Sequence, residues 1–333
     1  MTPPGRRPVV IEAPSNLGLS PPEPGSVPGV YKLAGALREC RLPARIAASD
    51  GGVVVPPRYR ADWDGQTVRN REAIASYSRR LADRIVATLD GGGFPVVLGG
   101  DCSILLGAMI ALRRRGRYGL VFVDGHLDFR HPGNSPNVRA AAGEDLALVT
   151  GRGASELVDL EGLRPYVRDT DVHALGARDA DDHADEVRAA GIGLATVSEL
   201  RRIGFRGASE EVIARFQRQG VDGFWIHLDL DVVDSALLPA VDSPEPAGLS
   251  FDELRALLVP LLASRLAIGL EVTIFDPDLD ESGQQAAAVT DMLVAAFEAS
   301  RRAAPLLPDS RHATNRETAP GLPVAPPNPV EEM

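Results

Sequence analysis

The feature that most constrains this chain is a set of short runs that are apolar at nearly every position: "PVVLGG", "GLVFVDGH", "DVHALGAR", "GFWIHLDLD" and "AIGLEVTIFDP". A strand with one face in water alternates apolar and polar residues. A strand that is apolar throughout needs cover on both faces, as in a parallel sheet. Between these runs lie stretches with apolar residues at helical spacing. They include "YKLAGALREC", residues 69–89 (Ile74, Leu81, Ile85, Val86 and Leu89), "SILLGAMIALRRRG", "EEVIARFQRQG", "FDELRALLVPLLASR" and "GQQAAAVTDMLVAAFEASRRA". "RPVVIEAP" adds a first strand. The alternation predicts an α/β fold of three layers, α/β/α, around a mostly parallel central sheet. It occupies residues 1–303 as a single domain. Residues 304–333 are Pro-rich and polar, and read as a disordered tail.

Bulk properties exclude several classes of function. The 333 residues are 44% hydrophobic, enough for a sizeable core. No run of about 18 apolar residues is present, so no membrane span is expected. The apolar run in "MTPPGRRPVVIEAP" is too short for a signal peptide. Two cysteines, Cys40 and Cys102, make no disulfide framework, and a cytoplasmic location is the expectation. The 35 basic residues are outnumbered by 46 acidic ones, a net charge of −11, which argues against a nucleic-acid partner. "GGGFPVVLGG" lacks both the Lys-Ser/Thr ending of a phosphate loop and the G-x-G-x-x-G spacing of a dinucleotide site. A small-molecule substrate is the remaining expectation.

In open α/β sheets chemistry collects at the carboxyl ends of the strands. Three strands here end in unusual residues. "VFVDGHLD" places Asp124, His126 and Asp128 at every second position, and an extended backbone would aim all three the same way. "IHLDLDVVD" gives Asp229 and Asp231 at the same spacing, with Asp234 beyond. "GGDCS" offers Asp101 and Cys102. Each is ordinary alone. D-x-H-x-D can be a solvated loop, "DLDVVD" a surface turn, Cys102 a small buried apolar residue, and Asp101 or Ser103 a helix N-cap. Together, at the ends of one sheet, they crowd carboxylates that would push one another's pKa up unless a cation neutralised them. Carboxylate, imidazole and thiolate donors suit Mn, Zn, Ni or Fe better than Ca or Mg. Two ions roughly 3.5–4 Å apart with a hydroxide between them would satisfy the set.

These segments resemble the ureohydrolases: arginase, agmatinase, guanidinobutyrase, formimidoylglutamase and their relatives. The family pattern is G-G-D-H-S, then D-A-H-x-D, then S-x-D-x-D-x-x-D-P. It stands here as "GGDCS" (99–103), "DGHLD" (124–128) and "HLDLDVVDS" (227–235). The resemblance spans about residues 8–302. It implies an arginase-like α/β/α domain, a dinuclear manganese centre, and hydrolysis of a guanidinium or amidine C–N bond by a metal-bridging hydroxide. By position, it implies that Cys102, Asp124, Asp128 and Asp229 hold the first ion, and Asp124, His126, Asp229 and Asp231 the second. Asp128 would also accept a hydrogen bond from the nucleophile, and Asp234 would hold the loop after its strand. A homotrimer or homohexamer is implied in the same way.

The chain departs from the pattern in three places. Cys102 stands at a histidine ligand position; a thiolate is softer and opens the site to Zn, Fe or Ni as alternatives to Mn. Aligned on Asp276–Pro277, Ile274 stands where arginases and agmatinases carry the glutamate that pairs with guanidinium, and Phe275 stands there if the register slips by one; Glu271 matches a different, more buried acid. In "AAGEDLAL", Ala142 stands at the position of a proton-shuttling histidine, and Glu144 or Asp145 is the candidate replacement; of these, Glu144 is taken as a catalytic residue beside Asp128. His131 reads as a loop histidine without a chemical role. Asp181 matches a family acid near the substrate's amino end, or is part of a solvated acidic loop. The expectation is a metal-dependent hydrolase that is not an ordinary arginase. The alternative is a non-catalytic ligand-binding or regulatory homologue with a partly filled metal site.

Overall fold

A computed structural model describes residues 7–303 except 66 and 137. The expected tail, 304–333, lies outside the described residues. Among the described residues, eight strands form one sheet: β1 (Pro8–Glu12), β2 (Ser49–Val53), β3 (Phe94–Leu98), β4 (Gly119–Val123), β5 (Val172–Leu175), β6 (Gly193–Ala195), β7 (Phe224–Asp229) and β8 (Ala267–Thr273). Their order is β2-β1-β3-β8-β7-β4-β5-β6, and every pairing is parallel.

The apolar runs explain the layering. Successive side chains of a strand point to opposite faces. Val96 and Leu98 of β3, Val121 and Val123 of β4, and Ile226 and Leu228 of β7 join a core with helices Phe205–Gln219, Phe251–Ala263 and Gln284–Ala303. The intervening Val97, Leu120, Phe122 and Trp225 join a second core with helices Arg71–Asp90 and Leu105–Arg113. Each strand thus feeds two apolar layers, and the fold is the expected three-layer α/β/α. Burying one such Val, Leu or Phe contributes about 1.5–3 kcal/mol.

The two edge strands escape a reading of apolar runs. β2 is "SDGGV" and β6 is "GLA", with no residue of either fully buried. An edge strand pairs with a neighbour on one side only, and a short, polar sequence there discourages pairing with another chain.

The order also fixes where chemistry can occur. β3, β8, β7 and β4 are the four central strands, and their carboxyl ends lie side by side. The segments that follow them carry Cys102, Ile274, Asp231 and Asp124.

Candidate metal centre

Each donor is set by a tight turn at a strand end. After β3 the chain passes through Gly100, where a Cβ would lie 1.6 Å from the Ser15 carbonyl oxygen, so only glycine fits. Asp101 then caps the turn: its Oδ1 accepts from Ser103 N at 2.9 Å and its Oδ2 from Ser15 Oγ at 2.6 Å. That turn starts a 3-10 segment, Cys102–Ile104, and leaves Cys102 buried among the strand ends.

The D-x-H-x-D segment is not the extended strand expected from the sequence. β4 stops at Val123. Asp124 Oδ1 accepts from the His126 amide at 2.6 Å, an Asx turn, and Asp128 has a left-handed φ of 43°. The three side chains converge through this folded turn and not through strand alternation. The same device recurs after β7, where Asp229 Oδ1 accepts from Asp231 N at 2.7 Å. The two turns interlock: Asp231 Oδ1 accepts from Gly125 N at 3.1 Å, and its Oδ2 lies 2.9 Å from His126 Nδ1.

All six expected ligand residues meet. Cys102, His126, Asp128, Asp229 and Asp231 line a cleft of about 690 Å³, and Asp124 lies buried beside His126. Cys102 Sγ is 2.6 Å from Asp229 Oδ2 and 3.3 Å from Thr273 Oγ1. Donor atoms of Asp124, His126 and Asp231 fall within 4.8 Å of one another; so do those of Cys102, Asp128 and Asp145, and those of Cys102, His227 and Asp229.

The electrostatics show strong crowding. Burial raises the carboxyls of Asp124, Asp145 and Asp229 well above the usual range, and the neighbouring carboxylates raise them further. Burial lifts the Cys102 thiol, and Asp229, Asp145 and Asp124 add to it. Burial brings Asp128 to about 7, with His126 and Arg130 opposing the rise. Burial disfavours the charged form of His126, but the Asp231 hydrogen bond and the surrounding acids raise it to about 10. Among the described residues, Asp124 Oδ2 and both Asp145 carboxylate oxygens are buried with no hydrogen-bond partner. Buried carboxylate oxygens without donors are costly. A divalent cation is what this donor set fits, so the residues present match the metal centre that the family pattern implies.

Glu144 and Asp145 part company. Glu144 is not among the residues lining the cleft; its Oε1 accepts from the amides of Arg139 at 2.8 Å and Ala140 at 3.2 Å. Glu144 thus spends one oxygen on backbone amides while its Oε2 is buried with no hydrogen-bond partner among the described residues, and Asp145, one residue on, joins the donor cluster. Ala142 lines the cleft and brings no titratable group. His131 is a loop residue: Nδ1 accepts from Gly133 N at 3.1 Å and Nε2 lies 2.9 Å from Glu186 Oε1. Asp181 lines the cleft and ties two loops together, accepting from Leu127 N at 3.0 Å and His183 N at 2.8 Å. Asp234 Oδ1 accepts from Ala236 N at 2.9 Å in the loop after β7. Ile274, 3% exposed and with a φ of 76°, lines the cleft as an apolar side chain.

His227 and Glu271 were not singled out from the sequence as site residues. His227 lies two residues before Asp229, so the period-2 signal already reached it.

The arginase family's sequence profile matches residues 11–298, and the chain belongs to that family. It is 27% identical to an arginase of Bacillus caldovelox over 291 residues, 86% of this chain and 97% of that protein. The crystal structure of the Bacillus cereus arginase superposes with a TM-score of 0.77 at 28% identity, covering 88% of this chain and 98% of that one. Formimidoylglutamase of Bacillus subtilis shares the fold, with a TM-score of 0.69 at 20% identity over 90% of this chain and 88% of that one.

Proposed function

We propose that this chain is a metal-dependent hydrolase that cleaves a C–N bond of a small guanidino, amidino or related substrate, and that it is not an ordinary arginase. The observation that carries this reading is the convergence of Cys102, Asp124, His126, Asp128, Asp229 and Asp231 on one buried cluster at the floor of a cleft, with carboxylate oxygens left without partners.

By their place in the family pattern, Cys102, Asp124, Asp128 and Asp229 would hold one ion, and Asp124, His126, Asp229 and Asp231 the other. Bound divalent ions supply deprotonated water near neutral pH and stabilise negative charge developing on the substrate. Asp128, which lines the cleft, would accept a hydrogen bond from the attacking water. The interlocked Asx turns hold these carboxylates in place before substrate arrives. Manganese is the ion that the resemblance favours; the Cys102 thiolate widens the choice to zinc, iron or nickel.

Substrate choice follows from Ile274. Its side chain presents no carboxylate to a guanidinium, so a cationic head group lacks a bidentate partner on that wall. Neutral amidines, uncharged guanidines and N-hydroxyguanidines suit an apolar wall better. The cleft mouth is polar and carries both signs, with Arg130 and Arg139 alongside Asp182 and Glu245.

The test is to purify the chain with added Mn²⁺, measure bound metal, and assay urea or ammonia release. The panel runs from arginine, agmatine and formimidoylglutamate to neutral amidines and N-hydroxyguanidines. Turnover of a non-cationic member with bound metal supports the reading. Absence of both metal and turnover overturns it in favour of a non-catalytic homologue. A cytoplasmic homotrimer or homohexamer acting on a small molecule is part of the proposal, and sedimentation checks the assembly.

A further inference from the structure

Two departures from the family pattern face each other across the site. Cys102 stands where G-G-D-H-S has histidine, and His227 stands where S-x-D-x-D has serine. A ring nitrogen of His227, Cys102 Sγ and an Asp229 oxygen lie within 4.8 Å of one another. The imidazole missing from one wall is present on the other.

His227 is fully buried in β7. Its register partner on β8 is Glu271, whose Oε1 lies 2.7 Å from Nδ1. Its partner on β4 is Phe122, against which the ring stacks at 4.8 Å and 11°. Two neighbouring strands therefore fix the ring. With Nδ1–H donated to the carboxylate, Nε2 presents a lone pair. Among the described residues Nε2 has no hydrogen-bond partner. It faces Asp145 Oδ2 at 3.8 Å and Asp124 Oδ2 at 3.9 Å, each equally unpartnered.

The plain alternative is a core histidine satisfied by Glu271. That accounts for Nδ1 alone. It leaves Nε2 and two carboxylate oxygens turned toward one another at separations too long for a hydrogen bond. Lone pairs converging in this way repel unless a cation lies among them. A four-coordinate ion with ligands at about 2.0–2.3 Å holds its donors roughly 3.3–3.8 Å apart, close to the 3.8 and 3.9 Å from Nε2 to Asp145 and Asp124. Cys102 Sγ and Asp229 Oδ2, at 2.6 Å, instead share a proton and move apart when an ion displaces it. A carboxylate on the far nitrogen of a ligating imidazole is also the usual way to fix its tautomer and raise its basicity.

We propose that His227 is a metal ligand, oriented by Glu271, and that with Cys102 and Asp229 it forms a thiolate–imidazole–carboxylate position for one of the two ions. Glu271 is a positioning residue. The donor set selects Zn²⁺, Co²⁺ or Fe²⁺ over Mn²⁺ at that position. The inference rests on the metal-dependent reading above and specifies which of this chain's residues bind.

Metal-free protein titrated with Co²⁺ and with Zn²⁺ provides the test, read by bound-metal analysis, calorimetry and absorption. The wild type is expected to bind two ions and to show a near-ultraviolet thiolate-to-cobalt band. Cys102→Ser abolishes that band. His227→Ala weakens one ion by about a hundredfold and shifts the visible cobalt bands. Glu271→Gln keeps the imidazole and weakens the same ion by about tenfold. If His227→Ala fails to fold by circular dichroism, the double variant Cys102→His/His227→Ser replaces it and is compared with Cys102→His alone, so that any difference between the two belongs to residue 227. The double variant is expected to bind two ions, to lack the thiolate band, and to shift preference from Zn²⁺ toward Mn²⁺.

Unchanged affinity and spectra in His227→Ala, or no difference in preference between the double variant and Cys102→His alone, overturn the proposal. Ion binding that depends on His227 without turnover of any substrate removes the hydrolase reading and leaves this site standing. Turnover with ion binding indifferent to residue 227 does the reverse.

Discussion

Cys102 Sγ lies 2.6 Å from Asp229 Oδ2, bridging the ends of β3 and β7 across the intervening β8. The thiol is fully buried and donates its proton to the carboxylate. Burial and the surrounding acids both hold it protonated. An ion at this position must displace that proton. Zn²⁺ uptake at pH 7 is therefore expected to release protons, from Cys102 and from the carboxyls of Asp124 and Asp229, which burial also raises. Titration in weakly buffered indicator solution measures the release, and Cys102→Ser should give less of it. Equal release from both chains would mean that the thiol is not a ligand.

Ile274→Glu tests substrate choice. Ile274 occupies the left-handed region, which strains a β-branched residue, so an unbranched replacement is tolerable there. The new carboxylate faces the cleft and gives a guanidinium a charged partner. With ions bound, kcat/KM for arginine or agmatine should rise about tenfold or more, while neutral amidines lose ground. Steady-state kinetics on the two substrate classes decides it; parallel changes for both would disprove a recognition role.

Gly100→Ala probes the turn beneath Cys102. The added Cβ would meet the Ser15 carbonyl oxygen at 1.6 Å, and that oxygen also accepts from Asp101 N at 3.1 Å. Backbone must move, with a loss of about 3 kcal/mol in denaturant unfolding and weaker metal retention. Gly35 is the control. It lies in the helix Leu33–Glu39 with nothing within 4 Å of an added Cβ, so Gly35→Ala should raise stability by up to about 1 kcal/mol.

His173, in β5 away from the cluster, makes a pH prediction. Burial, helped by Arg215 and partly opposed by Glu211 and Asp171, lowers its pKa to about 4. The unfolded chain, with an ordinary histidine near 6.5, binds the proton first as pH falls. The resulting stability is present above about 6.5 and is lost progressively down to about 4, a swing of about 3 kcal/mol. His173→Phe keeps a ring packed against Phe216 and removes the titration. The variant's stability should fall less steeply than the wild type's between pH 7 and 4, by chemical denaturation. Identical slopes would contradict the assignment.

The six strands with apolar runs, and the long helices, were legible because burial on both faces leaves a compositional mark. β2 and β6 carry none. The ligand residues were legible because carboxylates at the ends of apolar strands are conspicuous. How they converge was not, since Asx turns and the left-handed Asp128 depend on local hydrogen bonds that spacing does not reveal. Glu144 and Asp145 show the same limit: adjacent acids in one helical turn point apart, and only the packed turn tells which meets the cluster. His227 lay within the period-2 signal, but an imidazole inside an apolar run resembles core. Its meaning depends on Glu271, which is 44 residues away in sequence and adjacent in register.

The strand order has a consequence for how the molecule is made. β7 and β8 emerge last from the ribosome yet occupy the middle of the sheet, between β3 and β4. β7 pairs directly with β4, so Asp229 and Asp231 can meet Asp124 and His126 once β7 is made, but Cys102 after β3 stays apart from them until β8, which ends at Thr273, fills the gap between β3 and β7. The thiol joins the cluster only at this final closure, whereas the carboxylate–imidazole corner made by Asp124, His126 and Asp231 needs only the earlier pairing of β4 with β7.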